Sequence, residues 1–246
     1  MTQETQIKMP EIRKTENLSV REKINNAINI PLFLEKSKSF FFDQPVIEAL
    51  ARLVLKLKEN ITTYDTILSD DASGRLVSLL LKKIIDKQKK KIGKKGLPIY
   101  FLASGRHRTL QQIEVLKEFI KSKKDKLGKT LLVTEYISVG EGITYLVKIL
   151  KEEGINFDVA TVSIKYNPDK HKFYDQDLVT RLKYGLARDK SGMDSLYGKV
   201  IYSGVRKSQH INTPHPILAK NRSTVLMKQV RQDIDVLAKK LSKLLD

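Results

Sequence analysis

The stretch LLVTEYISVGEGITYLVKIL, Leu131 to Leu150, decides how this chain is read. An apolar run ends in an acidic residue, Glu135. Glycines follow at 140 and 142, and then an amphipathic helix begins. That order predicts a strand, a tight turn and a helix N-terminus, with Glu135 at the strand's exit. Backbone N–H groups at such a junction can hold a phosphate, and the carboxylate can hold a polyol. A second stretch, ILSDDASGRLVSLLLKKII from Ile67 to Ile85, repeats the design. Two such junctions point to an α/β fold that binds a phosphorylated sugar.

Outward from these stretches, apolar strands alternate with helical segments. Strands are expected at Thr66–Ser69, Pro98–Leu102, Thr130–Thr134 and Phe157–Ile164. Helices are expected at Leu76–Lys89, Thr109–Lys123 and Ile143–Glu153. Pro45 opens an earlier helix, where its missing N–H costs nothing. This alternation predicts a mostly parallel sheet with helices on both faces. Ligands of such sheets lie beyond the carboxyl ends of the strands.

The expected organisation is an N-terminal arm or part of a hood over residues 1–44, a core over 45–164, and a variable region over 165–246. Met1 to Asn17 is expected to be mobile, with Ser19 capping a short helix to Ala27. Ile28 to Phe42 reads as irregular and Lys165 to Gly198 as a lapse in the pattern. Lys199–Gly204 is expected to be a strand, Gln209–Pro216 a loop and Thr224–Leu245 a terminal helix.

The chain has 246 residues and no cysteine, so disulfides, thiolate metal sites and cysteine nucleophiles are excluded. Its N-terminus is polar and no apolar run spans a bilayer, so a cytoplasmic protein is expected. The formal charge of +18 suits a polyanionic partner, whether nucleic acid or a phosphate-rich small molecule. Much of that charge is lysine, at Lys87–Lys95 and Lys121–Lys129. Both runs close predicted helices, where lysine also complements the helix dipole. Nucleic-acid binding and plain solvation both account for it.

Three loops carry the candidate chemistry. In the first, Ser138 and Thr144 add hydroxyl donors to a turn that Gly140 and Gly142 keep open to close approach. In the second, Asp70 and Asp71 end a strand, and Gly74-Arg75 starts a helix. The arginine suits phosphate oxygens, and an aspartate can hold magnesium through water. Ser73 capping the helix, with an Asx-turn at Asp70 or Asp71, explains the same residues. The third loop, Ala103 to Thr109, carries Arg106, His107 and Arg108, which suit a diphosphate if the loop closes over it.

These residues resemble the type I phosphoribosyltransferase superfamily, best over residues 67–164. In that family two acidic residues end the strand before the phosphate loop. Glu135 stands at the first, and Tyr136 replaces the second. Val139 and Gly140 stand where threonines are usual, Glu141-Gly142 where two small residues are, and Ile143 replaces a common threonine. The resemblance implies that Glu135, with a Tyr136 hydroxyl beside it, takes the ribose of phosphoribosyl diphosphate or a nucleoside monophosphate. It implies that the loop from Ser138 to Thr144 takes the 5-phosphate. Ser73, Gly74 and Arg75 would meet the diphosphate, and Arg75 and Arg106 would act as electrostatic clamps. Asp70 and Asp71 would serve magnesium. The reaction implied is displacement at the anomeric carbon by a nitrogenous base, a pentosyl transfer. A homodimer is a further expectation.

Other readings stay open. A non-catalytic sensor of nucleotide or phosphoribosyl diphosphate, or a nucleic-acid binder on the same fold, accommodates the departures at Tyr136, Val139 and Gly140. A phosphohydrolase would need an aspartate two positions beyond Asp70-Asp71, and Ala72-Ser73 does not supply it. A purely structural protein leaves the glycine junctions unexplained.

Overall fold

A computed structural model describes residues 12–37, 42–71, 73–103, 109–138, 141–166, 176–187, 205–209, 213–220 and 223–246. The chain begins with α1 (Ile12–Ala27) and α2 (Ile30–Lys36). Neither start follows the sequence reading. No glycine or proline interrupts Ile12–Ala27, so the helix runs through Ser19 rather than starting there. Residues 28–42 hold a short helix because Asn29 caps it, its side chain accepting from the Leu32 N–H at 3.0 Å, with Pro31 in the first turn.

Helix α3 (Gln44–Leu57) is capped by Asp43, which accepts from the Val46 N–H at 2.8 Å. It buries eight apolar side chains, from Val46 to Leu57, more than one stripe supplies. The reason is that α1 and α2 cover the side of α3 that the sheet does not. Then come β1 (Thr66–Asp71), α4 (Arg75–Lys91), β2 (Ile99–Ala103), α5 (Leu110–Leu127), β3 (Thr130–Ile137), α6 (Glu141–Glu152) and β4 (Phe157–Ile164). Thr109 and Gln112 start α5 with a reciprocal capping box. After β4 come α7 (Gln176–Arg181), β5 (Leu182–Ala187), β6 (Val205–Gln209), β7 (Pro216–Leu218) and α8 (Thr224–Leu241). Residues 199–204, expected to form a strand, lie outside the described residues. Gln209–Pro216, expected to be a loop, holds the end of β6 and the start of β7.

Strands β1 to β5 form one all-parallel sheet in the order β2-β1-β3-β4-β5. The protein is therefore an α/β fold. Successive strand residues point to opposite faces. Ile67, Leu131, Val133, Ala160 and Val162 join one core with α3, α4 and α8. Leu68, Leu102, Leu132 and Val159 join another with α5, α6 and α7.

Strand β5 is absent from the sequence reading. Its segment, LKYGLA, has a glycine at its centre, which reads as a break. The structure gives the reason for Gly185. A Cβ there would overlap the Ala49 carbonyl oxygen of α3, so the helix backbone lies directly on the strand. The small β6–β7 hairpin is antiparallel and sits beside β2. The Ala103 N–H donates to the Pro214 carbonyl at 2.8 Å, and a His215 ring nitrogen lies 3.0 Å from the Phe101 carbonyl. Among the described residues no helix is long and apolar enough to cross a membrane.

Candidate functional site

The chain leaves β1 through α4 on one face of the sheet and leaves the adjacent β3 through α6 on the other. Between the carboxyl ends of β1 and β3 the winding reverses, and a parallel sheet opens a crevice there. Backbone pairing of the two strands reaches Ser69 against Val133 and goes no further. Beyond that level side chains take over. The Thr134 hydroxyl donates to Asp70 Oδ2 at 2.9 Å, a buried bond from β3 to β1.

The turn after β1 is tight. The Gly74 N–H donates to the Asp70 carbonyl at 2.6 Å, and the Ser73 hydroxyl lies 3.4 Å from the same oxygen. A Cβ on Gly74 would stand 2.5 Å from the Val133 carbonyl oxygen and 2.8 Å from that of Asp70. Only glycine lets α4 start this close to β3. Ser73 does not cap α4, contrary to the capping reading: Gly74 holds the cap position, with no side-chain bond there.

The strand was expected over Thr66–Ser69 with Asp70 and Asp71 at its end; β1 runs on through both, and Asp71 is its last residue. Their carboxylates are tolerated because they have partners. Arg75 grips Asp71 through two nitrogens, Nε to Oδ1 at 3.1 Å and NH2 to Oδ2. The guanidinium also stacks over the Phe101 ring of β2, 4.0 Å from its centroid. Asp71 is fully buried and the Arg75 side chain is 20% exposed. The pair at i and i+4 locks the end of β1 to the first turn of α4.

The second junction differs from its expected shape in the same direction. Strand β3 runs to Ile137, so Glu135 lies inside the strand rather than at its exit. Tyr136 and Ile137 stay in the sheet because they pair with Ser163 and Ile164 of β4. Glu135 is buried at 1% exposure, whereas Tyr136 is 41% exposed. The Glu135 carbonyl accepts from the Thr161 hydroxyl at 2.9 Å. Helix α6 begins at Glu141, so Gly142 belongs to its first turn. Ile143 is buried in the core of that face, and Thr144 is exposed beside α7, where it lines a pocket with Val147, Lys148 and Leu178. Val139, Gly140, Ala72 and residues 104–108, including Arg106, His107 and Arg108, lie outside the described residues.

Asp70, Asp71 and Glu135 thus gather at the carboxyl ends of adjacent strands, beside Ser138 and the first turns of α4 and α6. Strand alternation puts Asp71 and Glu135 towards the α3–α4 face and Asp70 towards the other. Among the described residues no three acidic or histidine side chains converge as a metal cage. The sequence reading missed Ser69, Thr134, Thr161 and Ser163, which are buried polar residues around these carboxylates. A signal existed: in ILSDD, VTEYI and TVSI the strands turn polar at one level of the sheet.

The basic run at the end of α4 and just beyond it is partly committed. Lys87 donates to the Ser242 hydroxyl at 2.7 Å, Lys91 pairs with Asp246, and Lys89 is buried. Lys90, Lys94 and Lys95 remain exposed.

No family model matches this chain, and no curated protein shows significant similarity to it.

Proposed function

We propose that the crevice between β1 and β3 binds phosphoribosyl diphosphate and that the protein transfers its phosphoribosyl group to or from a nitrogenous base. The observation that carries this reading is the pair of junctions that diverge from adjacent parallel strands with buried carboxylates between them. The N–H groups of the first turn of α6 suit the 5-phosphate. The exposed Tyr136 hydroxyl suits a ribose hydroxyl, with Glu135 behind it in the strand. Asp70, with Thr134 on one oxygen, fits a water-mediated hold on magnesium, an ion that commonly takes one or two carboxylates plus substrate phosphates. Asp71 fits that role less well, because Arg75 occupies both its oxygens. Such an ion would neutralise diphosphate charge.

A second reading, a non-catalytic sensor of the same ligand, is favoured by one observation. The Arg75 guanidinium is held by Asp71 and by the Phe101 ring, so it is poorly placed to clamp a leaving diphosphate.

Calorimetric titration of phosphoribosyl diphosphate with magnesium, on the wild type and on Gly140→Val, tests the site. Binding that weakens at least about tenfold in the variant supports it. Equal affinities, or none in either protein, overturn it. Diphosphate release with a panel of bases then separates transferase from sensor.

A further inference from the structure

A second site lies on the other side of α3, between that helix and α1. On α3, Gln44, Glu48 and Arg52 follow one another at four-residue spacing and form one stripe. On α1, Ile24 and Asn25 lie three and four residues after Arg21 and share its face. These six residues line a pocket of about 240 Å³, with the buried Ile24 inside it. None of them belongs to the crevice between β1 and β3.

The charges in this pocket are not settled within the described residues. Glu48 stands one turn before Arg52, the arrangement in which a carboxylate and a cation on one helix normally pair. It does not pair here. Glu48 instead accepts from the Gln44 side chain at 2.9 Å. The Arg52 Nε is shut off from solvent and has no hydrogen-bond partner among the described residues. Among the described residues neither Arg21 nor Arg52 forms an ion pair, although eight such pairs occur elsewhere among them. Two guanidiniums on facing helices are thus held at one cavity against a single carboxylate, Glu48, which accepts from the Gln44 amide on the same wall.

A guanidinium has five donors in a planar fork and matches phosphate oxygens in pairs. Two of them, from opposite walls, suit a dianion with oxygens on several sides. The amides of Asn25 and Gln44 can donate to whatever the phosphate is attached to. We propose that the α1–α3 pocket is an anion site for a phosphate group, held between Arg21 and Arg52. The phosphate could be free or could be the terminal group of a small phosphoester. The proposal does not depend on the function assigned to the crevice.

The test is calorimetric titration of the full chain with inorganic phosphate, at constant ionic strength in chloride. It is run on the wild type, Arg21→Gln, Arg52→Gln and Arg52→Lys. Each glutamine variant should weaken binding at least about tenfold, the loss expected for one charge-assisted contact. Arg52→Lys should recover only part, because a point charge lacks the fork. Repeating the titrations in a Gly140→Val background removes any contribution of the proposed crevice site, and the dependence on Arg21 and Arg52 should persist there. Circular dichroism and melting of each variant separate lost binding from lost folding, and the exposed Arg21 carries the test if Arg52→Gln unfolds. Titration with ribose 5-phosphate in the Gly140→Val background distinguishes the sources. Tighter binding than inorganic phosphate, with the same arginine dependence, identifies a phosphoester, and equal binding identifies the free ion. No binding to the wild type, or equal affinity in the wild type and an Arg21→Gln/Arg52→Gln double variant, overturns the proposal.

Discussion

The turn from β1 into α4 and the turn from β3 into α6 share a sequence plan: an apolar strand, acidic residues, glycine, a helix. They differ in where their polar groups go. At the first, the Gly74 N–H meets Asp70, Arg75 grips Asp71, and Thr134 reaches across to Asp70. At the second, Tyr136 and Thr144 present their side chains outward. The difference follows from one residue. An arginine directly after the glycine sits four residues beyond Asp71 and folds back on it. Ile143, directly after Gly142, goes into the core and has no charge to fold back. The first junction works as a brace between strand and helix, whereas the second leaves the Tyr136 side chain 41% exposed.

The comparison breaks most visibly if the brace is cut from one side. Arg75→Met leaves the Asp71 carboxylate buried without its cation, which costs about 3–5 kcal/mol when a buried pair loses one partner. Urea unfolding should show a loss of that size, and the double variant Asp71→Asn/Arg75→Met should recover part of it. A loss under about 1 kcal/mol, at the level of a surface pair, would return Arg75 to the ligand.

A smaller effect is expected at Gly74. Gly74→Ala puts a methyl group against backbone oxygens of Val133 and Asp70, atoms that cannot swing aside as a side-chain tip can. Overpacking of this kind costs about 1–3 kcal/mol. Thermal melting of Gly74→Ala should show it. An unchanged melting temperature would mean that α4 can move off β3, and that the first junction is no more rigid than the second.

Much of this arrangement was legible in the chain. Strand β4 is where the apolar run Phe157–Ile164 puts it, and the order of strands and helices from Pro45 to Ile164 holds. The ends of β1 and β3 were not legible. An acidic residue reads as the end of a strand, because a lone buried carboxylate is costly. Asp71 stays in β1 only because Arg75 pairs with it, and Asp70 has a hydroxyl from Thr134, a residue distant in sequence. Periodicity cannot see either partner. Strand β5 hid behind Gly185, whose purpose is contact with α3 rather than a turn. The arginines at 21 and 52 were equally invisible, since only the packing of α1 on α3 brings them to one pocket.

The smallest stability effect, and the sharpest contrast with the brace, is expected at Tyr136. Its side chain is 41% exposed at the end of β3, and no described partner holds its hydroxyl. Tyr136→Phe keeps the ring and the strand propensity and removes one oxygen. Stability should stay within about 0.5 kcal/mol of the wild type, as for surface positions in general. Affinity for phosphoribosyl diphosphate should fall by about 1 kcal/mol, the net value of one hydrogen bond and roughly a fivefold change in Kd. The same protein preparation gives both numbers, one from urea unfolding and one from calorimetry. Loss of stability with unchanged affinity would reverse the assignment, making the end of β3 a second brace and leaving the crevice without its ribose contact.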